Sequence, residues 1–473
     1  METIMGIQLD CKGFSLKEIA EITSGYLKGN PDTVITSVST DSRDTSGNEL
    51  FIAIRGERLD AHKFLKTAFE NGAVAAIVDH IEEELPEGAS LIIVDDTTEA
   101  FGKLAAAYRD GIDPLCVAVT GSVGKTTTRQ FIYSVLHEQY KTHRSEKNYN
   151  NEIGTPISLL SMKSDCEAAV FELGMSSRGE ISYLTKLVRP DIAVITNIGT
   201  SHIENLGSRE AIRDAKMEIT EGLKENGDLI LNADEPLLSG IENAYYVGIN
   251  NEKADFRVLN IRAADGKTTF DISYPGGICK DIYAPALGAH IAFDSAYAFA
   301  VGYLLGIPEE KIKKGIADYE AVEMRQNIVC HDGITFIHDY YNASPESMKA
   351  ALSVLLEYAR LSDGRAVAVL GDMRELGEHS RALHEEVGKT AAELGTGLLF
   401  TFGEEASAIA DGAEKAGMSA GAIYRYTDLE NVFAFGNAVN AAIRPGDAVL
   451  LKASRAVALE RVIQYLTGHK ENL

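Results

Sequence analysis

The amino-acid sequence predicts an α/β protein of three domains, in which the second and third domains each carry a parallel sheet. The first observation is the length, because 473 residues are more than one hydrophobic core normally organises. The second is an alternation of short apolar runs with amphipathic segments, which is typical of parallel strands joined by crossover helices. The alternation occurs in two separate stretches, so it predicts two doubly wound domains behind a smaller first domain.

Residues 1–112 are predicted to form a small mixed α/β N-terminal domain. Its apolar runs are short and are separated by helix-like segments: ELFIAI at 49–54, AVAAIV at 73–78 and SLIIV at 90–94. Such runs, bounded by polar residues, are typical of buried strands. The segment GIDP at 111–114 marks the end of this domain, because glycine and proline favour a break in regular structure.

Residues 113–322 are predicted to form the central domain. The runs LCVAVT, EAAVFEL, DIAVITNI and DLILNA begin at Leu115, Glu167, Asp191 and Asp228. They are apolar almost throughout, so both faces of their sheet are expected to be covered by helices.

Residues 323–473 are predicted to form a second doubly wound domain. The runs ITFIHD, RAVAVLGD, GLLFTFG and DAVLLKAS begin at Ile334, Arg365, Gly397 and Asp447, and each is followed by a helical segment. The stretch DYEAVEMRQ at 318–326 is interpreted as the linker that precedes this domain.

Composition narrows the classes of protein to which the chain can belong. The 45 basic and 70 acidic residues give a net charge of −25, which opposes binding to nucleic acid and to anionic membranes. The 5 cysteines lie far apart with no C-x-x-C pair, so neither a zinc site nor a disulfide framework is predicted. No leader or membrane-spanning segment is recognised in the sequence. We therefore expect a cytoplasmic protein, not inserted in a membrane and active as a monomer.

The segment VAVTGSVGKTTTRQF, residues 117–131, joins an apolar strand to a helix through a glycine turn. It carries the end of the phosphate-binding pattern G-x-x-x-x-G-K-[ST], but Val119 stands where the outer glycine would be. In such a turn the backbone N–H groups converge at a helix N-terminus and bind phosphate oxygens. The alternative is a plain strand-to-helix turn with a solvated lysine, and the strand and helix on either side favour the phosphate loop.

Three more residues are candidates because of their positions. Glu172 ends the run EAAVFEL and His202 follows DIAVITNI, so both are expected at the sheet edge that carries the phosphate loop. Lys216 belongs to a helix predicted to be capped near Ser208, at the margin of its apolar face. Each has an ordinary alternative, namely a surface glutamate, a structural histidine and a solvated lysine. A desolvated Lys216 would instead be a partly neutral amine.

Motifs along the whole chain, in one order, resemble those of the Mur ligases. They are TGSVGKTTT, KNYNNEIGTP, FELGMSSRGEI, TNIGTSHIENLGSREAIRDAKMEI, LNADEP, HDYYNASPESM, GDMRELGEHS and LKASR. The family's phosphate loop has the form TGxxGKT, so Val119 is not a defect of the pattern. The resemblance implies a central P-loop ATPase-like domain, a C-terminal Rossmann-like domain, and an ATP-dependent, ADP-forming amide ligase of peptidoglycan synthesis.

Three of the motifs indicate a subclass within the family. An N-terminal STDSR, together with YNASPESM and GDMRELGE, is most similar to members that join D-alanyl-D-alanine to UDP-N-acetylmuramoyl-tripeptide. The resemblance thus implies these two molecules as substrates. In this chemistry the γ-phosphoryl group of ATP activates the tripeptide carboxylate as an acyl phosphate, which the dipeptide amine attacks. Closure of the C-terminal domain is expected to exclude water.

The resemblance also implies the residues of the ATP and metal sites. It implies Lys125, Lys216 and His202 in catalysis, two Mg²⁺ sites, and a carbamylated lysine formed from CO₂ at Lys216. Thr126, Glu172, His202 and Lys216 match the metal-site residues. The residues implied in binding ATP are Gly121, Ser122, Val123, Gly124, Lys125, Thr126, Thr127, Asn232, Asp234, Arg325 and Asp339.

Residues implied in binding the two substrates lie in all three predicted domains. Ser42 and Arg43 resemble the uridine nucleotide contacts. Asn148, Asn150 and Asn151 match the segment that contacts the peptide substrate. The candidates on the acceptor side are Asn342, Ser344, Lys452, Ser454 and Arg455.

Three places depart from the family pattern. GAHIAFD has Ile291 and Asp294 where the adenine-side motif has asparagines, and isoleucine offers no amide hydrogen bond. Ser344 and Ala453 replace an asparagine and a glycine near the acceptor side, so the dipeptide preference stays open.

Two alternatives to the dipeptide ligase remain. One is a ligase that adds another amino acid or peptide, although the sequence lacks the D-N-P-R motif of the diaminopimelate-adding members. The other is a non-catalytic protein that binds nucleotides or wall precursors. Retention of Lys125, Thr126, Glu172, His202 and Lys216 argues against it. The third residue of the tripeptide, lysine or diaminopimelate, is left open.

Overall fold

The structure, a computed structural model, describes residues 6–11, 13–43, 47–56, 59–81, 85–146, 148–264, 266–322 and 324–466. The chain forms two compact units. The first contains Met1–Val119, Gln139–Ala193 and Glu218–Asp228, and the second contains Thr120–Glu138, Val194–Met217 and Leu229–Leu473. The predicted boundary at Glu323 falls outside the described residues, and the limits 1–112, 113–322 and 323–473 remain a prediction.

Strands and helices alternate through most of the described chain. The strands are β1 (Ile7–Gln8), β2 (Phe14–Ser15), β3 (Tyr26–Lys28), β4 (Val34–Ile35), β5 (Ser37–Ser39), β6 (Glu49–Ile52), β7 (Ala73–Val78), β8 (Ser90–Ile93), β9 (Leu115–Thr120), β10 (Thr142–Arg144), β11 (Ala168–Glu172), β12 (Ile192–Ile195), β13 (Asp228–Asn232), β14 (Tyr245–Gly248), β15 (Phe256–Ala264), β16 (Lys267–Tyr274), β17 (Gly277–Ala284), β18 (Asn327–His331), β19 (Ile334–His338), β20 (Ala366–Gly371), β21 (Leu398–Phe402), β22 (Ile423–Tyr426) and β23 (Ala448–Lys452). The helices are α1 (Leu16–Thr23), α2 (Leu65–Glu70), α3 (Thr97–Ile112), α4 (Lys125–His137), α5 (Gly154–Leu160), α6 (Glu180–Val188), α7 (Ile203–Leu206), α8 (Arg209–Met217), α9 (Ala289–Leu304), α10 (Glu309–Ala317), α11 (Pro345–Leu361), α12 (Ser380–Leu394), α13 (Ser407–Lys415), α14 (Val432–Ala442) and α15 (Glu460–Leu466).

The first unit contains the N-terminal sheet, whose strand order is β1-β5-β6-β7-β8-β3. The strands from β5 to β8 are parallel, and the antiparallel strands β1 and β3 lie at the two edges. The unit also contains β10, β11 and β9, which pair in parallel in that order. Residues of β6 and β11 are buried throughout, as expected for parallel strands covered on both faces.

In the second unit the strands β13, β14 and β15 are parallel, whereas β15, β16 and β17 form an antiparallel ribbon. The sequence analysis did not predict this ribbon. Its outward positions are mostly polar, although Ile278 and Tyr283 of β17 are exposed. Pro275 and Gly276 form the turn between β16 and β17, so turn residues between half-apolar runs were the available signal.

The second unit also contains the C-terminal sheet, in the order β18-β19-β23-β20-β21-β22. All of its strands are parallel except β18, which pairs antiparallel with β19. Each predicted apolar run of this region forms one of the parallel strands, and their side chains make a buried core with α14 and α15. Among the described residues, the chain has no helix with the length and apolar character needed to cross a membrane.

Candidate active site

The predicted phosphate loop lies in the second unit between β9 and α4, and two glycines give it its shape. A Cβ atom on Gly121 would lie 1.8 Å from the hydroxyl oxygen of Thr196, and one on Gly124 would lie 2.8 Å from a carboxyl oxygen of Asp294. Gly124 also has a φ of +80°, a conformation that side chains with a Cβ atom disfavour. Both positions therefore require glycine.

Asn197 holds the loop from the segment that follows β12. Its side-chain oxygen accepts hydrogen bonds from the backbone N–H groups of Ser122 (3.1 Å) and Val123 (3.0 Å), and its amide nitrogen donates to the carbonyl of Val123 (3.2 Å). Two backbone groups that were predicted to bind phosphate are thus paired with an oxygen of the protein. The sequence analysis missed Asn197, although its place in TNIGTSH, directly after an apolar run, was a usable signal.

Lys125 and Thr126 open helix α4. The ammonium group of Lys125 donates to the carbonyl oxygens of Gly121 (2.8 Å) and Ser122 (3.4 Å), so it lies over the loop. Thr126 is 2% exposed, and Thr127 follows in the same first turn. A positive charge and the N-terminus of a helix together suit an anion.

Val119, at the place of the missing outer glycine, is a buried strand residue. It lies in β9 and pairs in register with Glu172 of β11. Extended backbone needs no glycine, which explains why valine is accommodated there. The carboxylate of Glu172 is 4% exposed and accepts a hydrogen bond from Nδ2 of Asn150 (2.9 Å). Glu172 therefore ends its strand beside the residue that immediately precedes the loop in sequence.

Lys216 is buried, which agrees with the alternative of a desolvated amine and not with that of a solvated lysine. Helix α8 follows Ser208, whose hydroxyl accepts a hydrogen bond from the N–H of Ala211 (3.1 Å), and Lys216 is 2% exposed. Within the described part of the chain, its Nζ atom has neither a hydrogen-bond nor an ion-pair partner. Burial, and to a lesser degree the charge of Lys125, lowers the pKa of Lys216 well below its ordinary value. Burial therefore favours the unprotonated form of this amine.

His202 and Glu375 are in close polar contact within the second unit. Nδ1 of His202 lies 2.5 Å from a carboxylate oxygen of Glu375, and this contact lowers the pKa of Glu375 below its ordinary value. Both residues are left-handed, with φ of +63° and +64°, although neither is glycine. Such backbone costs about 1–3 kcal/mol per residue and is concentrated at functional sites.

A cavity of about 320 Å³ lies beside His202 and Glu375. Residues 201–202 form one part of its lining, and residues 341–344, 374–376 and 454–456 form the rest. Four of the predicted acceptor-side residues line it, namely Asn342, Ser344, Ser454 and Arg455. Arg374 and Glu375, in the motif GDMRELGEHS, also line the cavity. No role was predicted for either residue from the sequence.

Lys452, the fifth predicted acceptor-side residue, lies behind this lining. Its Nζ atom forms an ion pair with Asp339 (2.7 Å) and donates to the carbonyl oxygen of Asn342 (3.1 Å). Lys452 and Asp339 were predicted to have separate roles, and the structure joins them as one buried pair that fixes the segment 339–342. Arg325, predicted to reach ATP, lies 4.4 Å above the ring of Tyr341, a cation–π contact.

Glu346, in the first turn of α11, links the cavity to the phosphate loop. Its Oε1 atom accepts hydrogen bonds from the backbone N–H (2.9 Å) and hydroxyl (3.0 Å) of Thr200. The neighbouring Gly199 donates its N–H to Oγ of Ser122 in the loop (2.8 Å). Because Ser344 lines the cavity two residues before Glu346, a short run of contacts joins the cavity to the loop.

Two departures from the family pattern, Ser344 and Ala453, differ in their relation to the cavity. Ser344 caps helix α11, since its hydroxyl accepts a hydrogen bond from the N–H of Ser347 (3.3 Å). Serine and asparagine are both good N-caps, so the cap is kept. Ala453 is fully buried against Gly371 and packs in the core of the C-terminal sheet. It does not line the cavity.

The third departure concerns Ile291 and Asp294 at the start of α9. They are 3% and 6% exposed, and the carboxyl group of Asp294 lies beside Gly124. Burial raises the pKa of Asp294 well above its ordinary value, and the hydroxyl of Thr128 opposes this shift only in part. Asp294 therefore lies against the phosphate loop, where burial favours the protonated form of its carboxyl group.

Asn232 and Asp234, implied as nucleotide contacts, already bind backbone groups of the protein. Nδ2 of Asn232 donates to the carbonyl of Thr196 (2.8 Å). The carboxylate of Asp234 accepts hydrogen bonds from the N–H groups of Ile249 (2.7 Å) and Asn251 (2.8 Å). Both side chains thus order the carboxyl ends of β13 and β14, and their contact with a nucleotide stays a prediction.

The predicted substrate residues of the first unit lie in two places. Ser42 and Arg43 follow β5. The Arg43 guanidinium is paired with Asp41 (2.6 Å), with its side chain 71% exposed. Farther along the chain, Asn151 caps the turn before α5 by accepting a hydrogen bond from the N–H of Gly154 (2.8 Å). The three asparagines Asn148, Asn150 and Asn151 precede α5, and Asn150 is the one that contacts Glu172.

A polar cluster in the first unit has the composition of a metal site but is internally paired. Asp60, His62 and His80 bring one ligand atom each within 4.8 Å of one another. His62 uses both nitrogens, with Nδ1 2.7 Å from Asp60 and Nε2 accepting a hydrogen bond from the N–H of Asp79 (3.2 Å). The Arg55 guanidinium lies 3.3 Å from Asp60 and supplies the positive charge that a metal ion would bring.

Sequence profiles of one family match most of the chain. The Mur ligase middle domain matches residues 119–302, the domain described as "Mur ligase, glutamate ligase domain" matches residues 324–455, and the domain described as "Mur ligase family, catalytic domain" matches residues 34–109. Together they cover more than half of the sequence. The chain belongs to the Mur ligase family, as the resemblance predicted.

Particular relatives extend over almost the full length. The UDP-N-acetylmuramoyl-tripeptide–D-alanyl-D-alanine ligase of Bacillus subtilis (strain 168) is 40% identical over 460 residues, which cover 96% of this chain and 98% of the relative. The ligase of the same name from Escherichia coli (strain K12) is 33% identical over 460 residues, with 96% and 98% covered.

Solved structures agree with the predicted fold class. A crystal structure of MurF from Acinetobacter baumannii has a TM-score of 0.88 and 30% identity, covering 98% of this chain and 100% of that chain. The MurF ligase from Thermotoga maritima in complex with ADP has a TM-score of 0.81 and 28% identity, covering 91% and 97%. The α/β architecture with a parallel-sheet ATPase-like centre and a Rossmann-like C-terminal region is confirmed.

Proposed function

We propose that the protein is an ATP-dependent ligase that joins D-alanyl-D-alanine to UDP-N-acetylmuramoyl-tripeptide and releases ADP and phosphate. The observation that carries this proposal is Lys216, a buried lysine whose pKa is lowered well below its ordinary value, in the same unit as the phosphate loop. A solvated lysine would suffice for a protein that only binds a nucleotide. Relatives that bear the ligase name at 40% and 33% identity support the choice of substrates, and we place the reaction in the cytoplasm.

The reaction needs two transfers. A carboxylate oxygen of the tripeptide attacks the γ-phosphorus of ATP, and ADP leaves with the electrons of the broken P–O bond. The amine of the dipeptide then attacks the acyl carbon, phosphate leaves, and the amine gives up its proton. Both transfers concentrate negative charge on phosphoryl oxygens. The loop N–H groups and Lys125 would bind and align these oxygens, which is the main source of catalysis for such transfers.

The donor atoms at the loop fit Mg²⁺ only in part. The hydroxyl of Thr126 and the carboxylate of Glu172 are buried oxygen donors, which suit this ion. The imidazole of His202 is a softer ligand, and an unmodified amine at Lys216 is unsuitable. When bound, Mg²⁺ would offset the charge of the phosphate oxygens.

Carbamylation would make the set complete. A neutral amine attacks CO₂ through its nitrogen lone pair, loses one proton, and becomes a carbamate whose single negative charge is shared by two oxygens. The buried Lys216 suits the first condition, because burial lowers the pKa of its amine well below the ordinary value and so favours the unprotonated form. The carbamate at Lys216 would then join Thr126 and His202 of the second unit as a metal ligand, and Glu172 of the first unit keeps the metal role that the resemblance implies.

The experiment that tests the proposal measures ADP release by the full-length chain with Mg²⁺ and ATP. The donors are UDP-N-acetylmuramoyl-tripeptides with lysine or diaminopimelate as the third residue. The acceptors are D-alanyl-D-alanine, D-alanine and L-alanyl-L-alanine. We expect ADP release and a new amide product only when a tripeptide and D-alanyl-D-alanine are present together. Preference for a single amino acid would support a different ligase, and no release with any pair would support a binding protein.

A further inference from the structure

The turn after β20 presents two neighbouring charged side chains, Arg374 and Glu375, to one cavity. Successive side chains of extended backbone point to opposite faces. The left-handed conformation of Glu375, with φ of +64°, breaks this alternation. A conformation that costs about 1–3 kcal/mol persists only where the surroundings hold it, so the shared orientation needs support from the fold.

That support comes from backbone hydrogen bonds on the same turn. The N–H of Met373 donates to Nε2 of the buried His384 (3.0 Å). The N–H of Arg374 donates to Oγ of Ser454 (3.0 Å), which is 4% exposed. The backbone around Arg374 is therefore fixed by helix α12 and by the segment that follows β23, while the side chain of Arg374 remains 48% exposed.

Arg374 is also the arginine of the cavity whose charge is less well compensated. Nη1 of Arg455 forms an ion pair with Glu460 at 2.9 Å. Nη2 of Arg374 lies farther from its partner, 3.3 Å from Asp372, and the carboxylate of Asp372 also accepts a hydrogen bond from the N–H of Ala406 (2.8 Å). A guanidinium group binds a carboxylate through two parallel hydrogen bonds. Arg374 thus offers the cavity a fork of donors suited to a carboxylate.

We propose that Arg374 binds the terminal carboxylate of the acceptor dipeptide and so selects acceptors with a free carboxyl terminus. This inference rests on the proposed function, because the dipeptide is the acceptor only there. The adjacent carboxylate of Glu375, which is paired with His202, repels a second anion. A dipeptide carboxylate is therefore directed to the guanidinium of Arg374, and its amine end is left for the reaction.

The test compares D-alanyl-D-alanine with its C-terminal amide as acceptors for the wild type, Arg374→Gln and Arg374→Lys. The wild type is expected to prefer the free acid over the amide by about 10- to 100-fold in kcat/KM, the size of one charge-assisted interaction. Arg374→Gln should lose this preference through a higher KM for the free acid, with the amide changed less than about twofold and kcat retained. Arg374→Lys should keep part of the preference, because it keeps the charge without the fork.

The matched control is Arg381→Gln, an exposed arginine of α12 that is paired with Asp411 (2.9 Å) and does not line the cavity. It should keep the wild-type preference. Equal loss of activity toward both acceptors in Arg374→Gln, or an undiminished preference, would overturn the inference. Absence of ligation by the wild type with either acceptor would instead count against the proposed function.

Discussion

The phosphate loop and the cavity wall at residues 372–376 are both held rigidly, but they treat their polar groups in opposite ways. In the loop, the N–H groups of Ser122 and Val123 are paired with Asn197, and Lys125 is paired with loop carbonyls. In the wall, backbone groups are anchored while Arg374 keeps an exposed guanidinium. A ligand that binds to these loop N–H groups must therefore replace the side-chain oxygen of Asn197 as their acceptor. The wall instead exposes the guanidinium group of Arg374, which can bind a ligand directly.

The largest expected effect sharpens the loop side of this comparison. Lys125→Ala removes the ammonium group that lies over the loop, and we expect ligation to fall by roughly 10³-fold, since a preorganised charge at developing phosphate oxygens is lost. Steady-state ADP release measures the change. The control is Lys186→Ala, an exposed lysine paired with Glu221 (2.8 Å), which should keep full activity. Ligation within tenfold of wild type would exclude a role of Lys125 in the transfer.

Substitution of Lys216 tests whether a buried lysine of the second unit contributes to the reaction. Lys216→Ala is expected to lower ligation by roughly 10²-fold. With ¹³C-labelled bicarbonate, the wild type should show one carbamate carbon signal by NMR, and the variant should lack it. Lys224→Ala, at an ion pair with Asp191 (2.8 Å), should retain the signal. A signal that persists in Lys216→Ala would place the carbamate elsewhere.

Glu346 tests whether the loop and the cavity depend on each other. Glu346→Ala leaves the N–H of Thr200 without its acceptor, and we expect a loss of about tenfold in kcat/KM for the dipeptide, the size of one hydrogen bond to a charged group. Glu357→Ala, farther along α11 and paired with Arg360 (3.2 Å), is the control. Kinetics with varied dipeptide give the result. If the double variant Glu346→Ala with Thr200→Val loses the product of the two single losses, the contact does not couple these residues.

The last and smallest predicted effect concerns the pH dependence of folding stability. Because burial raises the folded-state pKa of Asp294 above its unfolded value, the folded state retains a proton that the unfolded chain releases. Wild-type stability is then fully present below the ordinary carboxyl pKa and declines as pH rises toward the raised value. Asparagine cannot ionise, so Asp294→Asn should be more stable than wild type at pH 8 by about 1–3 kcal/mol, with a smaller gap near pH 4. Urea unfolding at both pH values measures this.

The exposed Asp332, 84% exposed at its side chain, provides the control for this prediction. Asp332→Asn should change stability by less than about 0.5 kcal/mol at either pH. An Asp294→Asn variant that is less stable than wild type at pH 8 would show that the carboxyl group is ionised in the fold.

Local sequence predicted the strand, turn and helix at residues 117–131 well and the cavity poorly, for a physical reason. The loop is one continuous strand, turn and helix, so the order of residues 117–131 contains its geometry. The cavity is lined by residues 201–202, 341–344, 374–376 and 454–456, which only the fold brings together. Family motifs identified Ser344 and Arg455, but the role we infer for Arg374 depends on the conformation of its neighbour Glu375.

The sequence pattern also left open whether particular residues are buried. The period of α8 placed Lys216 at the margin of an apolar face, and the tertiary fold decided that it is 2% exposed. Similarly, Ala453 was interpreted as a change near the acceptor side, whereas it packs in the core. The ribbon of β15, β16 and β17 was missed because its half-polar strands do not form continuous apolar runs.

The side-chain oxygen of Asn197 has a consequence for the release of product. Under the proposed function, a departing nucleotide leaves behind two N–H groups, and Asn197 stands ready to pair with them in place of water. Departure of the nucleotide would then leave these two N–H groups hydrogen-bonded. This exchange would lower the affinity of the loop for the product as well as for the substrate. Asn197 would in this way favour turnover over tight binding, a property that a loop open to solvent would have to obtain by motion.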